Sequence, residues 1–195
     1  MSIIAIKVPK KEAKYLYGID TPGEKVSAED KHITILYFDG EGPEVAKRVL
    51  DCLAEFPVYM NSLAVEASEV DVFSEGDDGV PVFAKVESQD LNEFREALID
   101  IFDANGIEYS KKFKDFKPHI TLSYSPEKIE GFPLDKKIEF SVSNYCYWDK
   151  NNGVQNEIII PLGKNFDSNK ALKDFEKQWK ASSLKEMLLP TFELI

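Results

Sequence analysis

Two short segments carry the residues best suited to chemistry in this 195-residue chain: His32-Ile33-Thr34-Ile35-Leu36-Tyr37 and His119-Ile120-Thr121-Leu122-Ser123-Tyr124. They contain its only two histidines, each followed by Ile-Thr and, five residues on, by tyrosine. An imidazole titrates near pH 6.5, so one ring of a pair can be neutral and accept a proton while the other is charged and donates one. On a strand, alternation puts the His and Thr of each segment on one face, about 6–7 Å apart. Each threonine hydroxyl can then donate to a phosphate oxygen, and two such pairs can surround one phosphorus. That is acid–base chemistry for a phosphodiester without a metal. A single His-x-Thr would read as structure, since threonine is simply a good strand former. Two of them, using every histidine in matching contexts, favour function. Two histidines without a third ligand at a recognisable spacing make a poor zinc site, and no GxSxG supports a serine nucleophile.

Hydrophobic periodicity gives the elements that must hold these strands. Residues 2–8 predict a buried strand. Residues 9–30, polar and punctuated by Gly18, Pro22 and Gly23, predict a long loop with one helical turn near 12–16. Tyr15 and Tyr17 in that loop are candidates to stack on a base. Alternation along 31–38 puts His32, Thr34, Leu36 and Phe38 on the cleft face, with Phe38 a candidate substrate contact, and Ile33, Ile35 and Tyr37 toward the core. By the same rule Tyr124 joins the core side of the second segment.

Pro43 starts a helix with Val45, Val49, Leu50, Leu53 and Phe56 at helical spacing. Strand character returns at 58–73. The acidic run from Glu66 to Asp78 is irregular and reads as a solvated edge and hairpin tip rather than a metal site. Residues 81–87 predict a strand, followed by a helix capped by Asp90 and ended by Asn105-Gly106. Lys111, Lys112, Lys114 and Lys117 concentrate positive charge just before Pro118-His119, which makes Lys117 a substrate-binding candidate. Strands at 136–149 and 154–162 predict a hairpin with Trp148 near its tip, a further substrate contact. Beyond residue 163 a helix capped by Ser168, with Phe175 and Trp179, and an apolar stretch from Leu184 to Ile195 read as an appendage, and as a surface for a protein partner or self-association.

The net charge of −11 argues against long nucleic acid, whose phosphates need a basic face, and leaves room for a small phosphorylated ligand. Cys52 and Cys146 form neither a disulfide framework nor a metal knuckle, the N-terminus has no signal-like run, and no segment is apolar enough to span a membrane. The expectation is a cytoplasmic protein, in the host cytoplasm if viral, with an apolar fraction of 43% sufficient for one core.

The paired His-x-Thr strands, and Lys117-Pro118-His119-Ile120-Thr121-Leu122 in particular, resemble the signature of the 2H phosphoesterase superfamily, including its 2′-5′ RNA ligase-like and cyclic phosphodiesterase members. The resemblance spans roughly residues 2–162. It implies a bilobal α+β fold with two antiparallel sheets flanking a cleft, outer helices and no metal or other cofactor. It implies that His32 and His119 are the acid/base pair and that Thr34 and Thr121 hold the phosphate. The phage anti-CBASS nucleases, which degrade cyclic di- and trinucleotides, are similar at the same motifs. The acidity and the appendage set this chain apart from RNA-acting members and point to a small cyclic or 2′-5′-linked nucleotide. Rival expectations are a nucleotide-sequestering or virion-associated protein on this fold, and an RNA end-processing enzyme.

Overall fold

The computed structural model of the chain describes residues 2–74, 76, 79–112, 115–151 and 154–187. The elements in chain order are β1 (Ser2–Lys7), α1 (Lys10–Gly18), β2 (Glu24–Lys25), β3 (His32–Phe38), α2 (Pro43–Glu55), β4 (Leu63–Val72), β5 (Val80–Glu87), α3 (Gln89–Ala104), β6 (His119–Ser125), β7 (Phe132–Val142), β8 (Asn144–Asn151), β9 (Val154–Pro161) and α4 (Ser168–Met187). The strands form a four-stranded sheet, β3-β1-β8-β9, and a five-stranded sheet, β2-β6-β5-β4-β7, with antiparallel pairing throughout. This is the α+β, two-sheet architecture that the resemblance implies.

The two halves repeat each other. In β1-α1-β3 and in β5-α3-β6, a strand is followed by a helix and by an antiparallel partner strand that opens with histidine. Register agrees as well: Lys7 faces His32 and Lys85 faces His119. The main chain enters each histidine strand through the same hydrogen bond, Val8 N to Lys31 O in one half and Val86 N to Pro118 O in the other, both 3.1 Å. Among the described residues strand β2 has no counterpart in the other half.

Both histidine strands carry a bulge one residue past the threonine. Ala5 pairs with Thr34 but Ile4 pairs with Leu36, so Ile35 is the extra residue. Phe83 pairs with Thr121 but Val82 pairs with Ser123, so Leu122 is the extra residue. A bulge restarts the alternation. His32 and Thr34 keep one face, but beyond the bulge Leu36 and Phe38 turn to the core, where they are 2% exposed, and Tyr37 turns to the histidine face. Tyr124, 36% exposed, is moved in the same way. The simple alternation expected for both segments is therefore correct through Ile35 and Leu122 and inverted after them.

Other expectations change as well. Residues 10–18 are a nine-residue helix rather than a loop, because Ala13 and Leu16 lie on one helical face and bury it. The strand expected at 136–149 is two, β7 and β8, in different sheets and broken at Ser143. Helix α3 is capped by Ser88, whose Oγ accepts from Leu91 N at 3.1 Å, while Asp90 accepts from Ala64 N of β4 at 2.7 Å.

Helix α4 packs on α2 and β9. Asp167, not Ser168, caps it, accepting from Lys170 N at 3.0 Å. Phe175 is fully buried against Tyr147 and Trp179. Gln178 hydrogen-bonds both main-chain groups of Glu157 on β9, at 2.8 and 3.1 Å, and so closes a sheet edge that would otherwise be open. The apolar stretch expected toward Ile195 lies outside the described residues beyond Met187, as do Glu75, Asp77 and Asp78 of the acidic hairpin tip. No helix among the described residues is long and apolar enough to cross a membrane.

Candidate active site

Each histidine opens its strand and is anchored through the same ring atom. Nδ1 of His32 lies 2.7 Å from Asp30 O, and Nδ1 of His119 lies 2.7 Å from Lys117 O. A carbonyl only accepts, so Nδ1 carries the proton in both rings. Nε2 is then the working nitrogen, an acceptor when the ring is neutral and a donor when it is charged. The anchor on His32 is itself tied down, because Ser27 Oγ donates to Asp30 Oδ2 at 2.8 Å and accepts from Asp30 N at 3.2 Å.

Aromatic edges fix the tilt of both rings. Trp148 meets His32 at 4.5 Å between centroids, near perpendicular at 68°. Phe73 and Phe83, stacked on each other, meet His119 at 4.8 and 5.3 Å. Burial in this setting pushes both imidazoles below the ordinary 6.5, against the opposing pull of the carbonyl anchors. For His32 the positive charges of His119 and Lys31 push further in the same direction, with Asp30 opposing them. The two rings therefore sense each other: protonation of one disfavours protonation of the other.

The strands that carry them also meet. Strand β6 is flanked by β2 at Ser123 and Tyr124, Val26 N continues the contact to Leu122 O at 2.9 Å, and one residue beyond it the Nζ of Lys31, the residue before His32, donates to Thr121 O at 3.2 Å. Thr34 and Thr121 are half-buried on the histidine faces, and among the described residues neither hydroxyl has a hydrogen-bond partner. Each histidine also has a lysine opposite it. Lys7 is held by Glu157 at 2.6 Å and lies 5.8 Å above the Trp148 ring, and Lys85 is held by Glu69 at 2.6 Å. The array offers two proton-transfer nitrogens, two hydroxyl donors and two nearby ammonium groups, an arrangement able to hold and protonate a phosphodiester.

The structure thus brings together His32, Thr34, His119 and Thr121. The five expected substrate contacts fare differently. Phe38 is core, packed on Phe102 and Tyr147, because of the bulge. Trp148 is 4% exposed and supports His32 rather than offering a free stacking face. Tyr15 packs against the core from α1. Tyr17 is 48% exposed, with Lys25 5.8 Å above its ring. Lys117 is exposed, and its contact with His119 is made by its carbonyl. Sequence reasoning missed Tyr37 and Tyr124 on the histidine faces, the lysines at 7 and 85, and Lys31. The adjacent apolar pair Ile35-Leu36 is the one signal of the bulge; in the second strand Ser123 hides it. Among the described residues no three or more His, Cys, Asp or Glu side chains are grouped to hold a metal ion, and Glu66 and Glu69 of the acidic run are engaged by Lys137 and Lys85.

The architecture has solved relatives. TT0787 of Thermus thermophilus superposes with a TM-score of 0.65 at 16% identity, over 85% of this chain and 99% of that one. Escherichia coli LigT complexed with 3′-AMP gives 0.65 at 15% identity, over 84% and 98%. A structure described as a phosphoesterase gives 0.63 at 17% identity, over 84% and 98%. No curated protein matches the sequence. The family model described as the 2′-5′ RNA ligase superfamily matches residues 22–153, which include both His-x-Thr strands. The chain belongs to that superfamily, the 2H phosphoesterases.

Proposed function

We propose that the protein is a metal-independent phosphodiesterase that cleaves a small cyclic or 2′-5′-linked nucleotide. The duplicated anchoring of the two imidazoles carries this reading: both rings are fixed in one tautomer, with Nε2 as the working nitrogen. One neutral Nε2 takes the proton of the attacking water or ribose hydroxyl. The attacking oxygen bonds to phosphorus, and the P–O bond to the leaving group breaks. The charged Nε2–H of the other ring protonates the leaving oxygen. Thr34 and Thr121 donate to the non-bridging oxygens as their charge develops. The mutual repulsion of the two charged rings favours the singly protonated pair that this exchange needs.

Local charge supports a small anionic substrate. The acidic chain places Lys7, Lys31 and Lys85 next to its histidines. Tyr37 and Tyr124 flank the phosphate position as candidate ribose or base contacts. The LigT complex with 3′-AMP makes a nucleotide a fitting ligand for this architecture.

The test is a panel at several pH values in EDTA, with product masses recorded. It holds 2′,3′-cyclic mononucleotides, 2′-5′ oligoadenylate, and cyclic di- and trinucleotides. Turnover of at least one compound, lost when either histidine is replaced, is expected. Abolition by EDTA, or failure to turn over any of them, would overturn the reading.

A further inference from the structure

Lys31 is the residue most out of place by its chemistry. It is 1% exposed, among the largest fully buried side chains of the protein. A buried ammonium persists only where its protons find acceptors. Here Nζ donates to Val26 O at 3.1 Å and to Thr121 O at 3.2 Å, while the Lys31 carbonyl accepts from Val8 N. Thr121 sits just past the point where β2 stops pairing with β6. On the side away from β5 it lies one residue past the last main-chain contact, Val26 N to Leu122 O at 2.9 Å, and the ammonium of Lys31 takes the place of a strand there.

We propose that Lys31 is a positioning residue of the cleft, joining the edge of one sheet to the Thr121 carbonyl of the other and so setting His32 and Thr34 against His119 and Thr121. The proposal deepens the acid–base role assigned above to the two histidines and rests on it. The equivalent position in the other half is Pro118, which has no group to reciprocate. One lysine therefore makes the tie, and it places a positive charge behind one histidine only. Around His32 the charged and titratable groups are Asp30, Lys31, His119 and, across the strand, Lys7 with its partner Glu157. Around the Lys31 ammonium they are Lys25 and Asp30. Burial first, then Lys25, pushes the Lys31 ammonium down to about 8, against the pull of Asp30.

NMR of the full chain tests this without any substrate, so failure of the nucleotide panel and failure of this proposal are separate results. The reporters are the two imidazoles and the amide nitrogens of Leu122 and Ser27, which follow the carbonyls that Lys31 holds. In the native protein both amide nitrogens should show a transition with a midpoint of about 8. In Lys31→Met that transition should vanish and the His32 midpoint should rise, while that of His119 moves less. Lys31→Arg, which keeps the charge, should return the His32 midpoint to its native value. Flat amide shifts from neutral pH to beyond the ordinary lysine value of 10.5 in the native protein would overturn the proposal even if Lys31→Met does not fold. So would a His32 midpoint unchanged in folded Lys31→Met.

Discussion

The two histidine strands are alike where chemistry demands it and differ where it does not. Both place a His-x-Thr on one face, anchor Nδ1 on the carbonyl two residues upstream, set a lysine opposite the histidine and bulge after the threonine. The supports differ. His32 leans on Trp148 and has Lys31 behind it, whereas His119 leans on Phe73 and Phe83 and has Pro118 behind it. The shared part suits the proposed task, holding a phosphate and handling a proton on each side of it. The unshared part makes two similar imidazoles unequal, which a reaction needs if one is to be the base while the other is the acid.

Removing either imidazole tests the comparison most severely. His32→Ala and His119→Ala should each lower kcat by roughly 10²–10⁴-fold, with circular dichroism unchanged, because both side chains open their strands at a half-buried position rather than inside the core. A loss confined to one histidine would break the claim that the halves share the work. The threonines come next. Thr34→Ala and Thr121→Ala each remove one donor to the developing charge and should cost about 10²–10³-fold in kcat. Near-equal losses, measured on one substrate, would show the phosphate held symmetrically. A loss at Thr121 alone would assign the transition state to the half that Lys31 buttresses.

The comparison also explains what could be read from the sequence. The two segments, their strands and the sharing of a face by His and Thr were legible, because alternation is fixed by the pleat. So was the two-sheet fold, through the resemblance. What lay beyond the bulges was not. A bulge is a pairing event, and the partner strands are distant in sequence: Ile4 for Leu36 and Val82 for Ser123. One slipped residue put Phe38 in the core and Tyr37 on the histidine face. The repeat was hard to trust for a similar reason, since α1 shows too few apolar positions to announce itself between β1 and β3. Lys31 was invisible because nothing in a local window says that a lysine will be buried, only that its acceptors must be found elsewhere in the chain.

A smaller effect should fall on one half alone. Gly23 precedes β2, the strand without a counterpart, and has φ +83 with its position against β6 so close that an added Cβ would lie 1.9 Å from Tyr124 O. Gly23→Ala therefore has to push β2 away from β6 and adopt a disfavoured backbone, at a cost of about 1–3 kcal/mol. Denaturant unfolding should show the loss. If hydrogen exchange rises in β6 but not in β3, the two halves respond separately; equal loosening would mean that the Lys31 contact transmits the strain.

The smallest expected effect is in the pH dependence, and it bears most directly on the inequality of the two rings. Both imidazoles are pushed below the ordinary 6.5 in the fold, mainly by burial; at His32 the charges of His119 and Lys31 act in the same direction and Asp30 opposes them. In the unfolded chain both return to about 6.5. The fold therefore prefers the neutral rings. Their contribution to stability is intact above pH 6.5 and is lost as pH falls from there through the folded values, because the unfolded chain takes up protons first. Denaturant unfolding from pH 8 to pH 5 should show stability falling on the acid side, with the slope reduced when either histidine becomes asparagine. Unequal reductions for His32→Asn and His119→Asn would show the two rings to be electrically distinct. Catalysis should follow the same groups. The free-enzyme profile of kcat/KM should be bell-shaped, with its maximum below the ordinary imidazole value, because one ring must be charged and the other neutral. The kcat profile should lie at higher pH, since a bound phosphate favours the charged ring. Equal slopes for the two asparagine variants would mean that Lys31 and the aromatic supports leave the rings electrically equivalent, so that the choice of base would fall to the substrate.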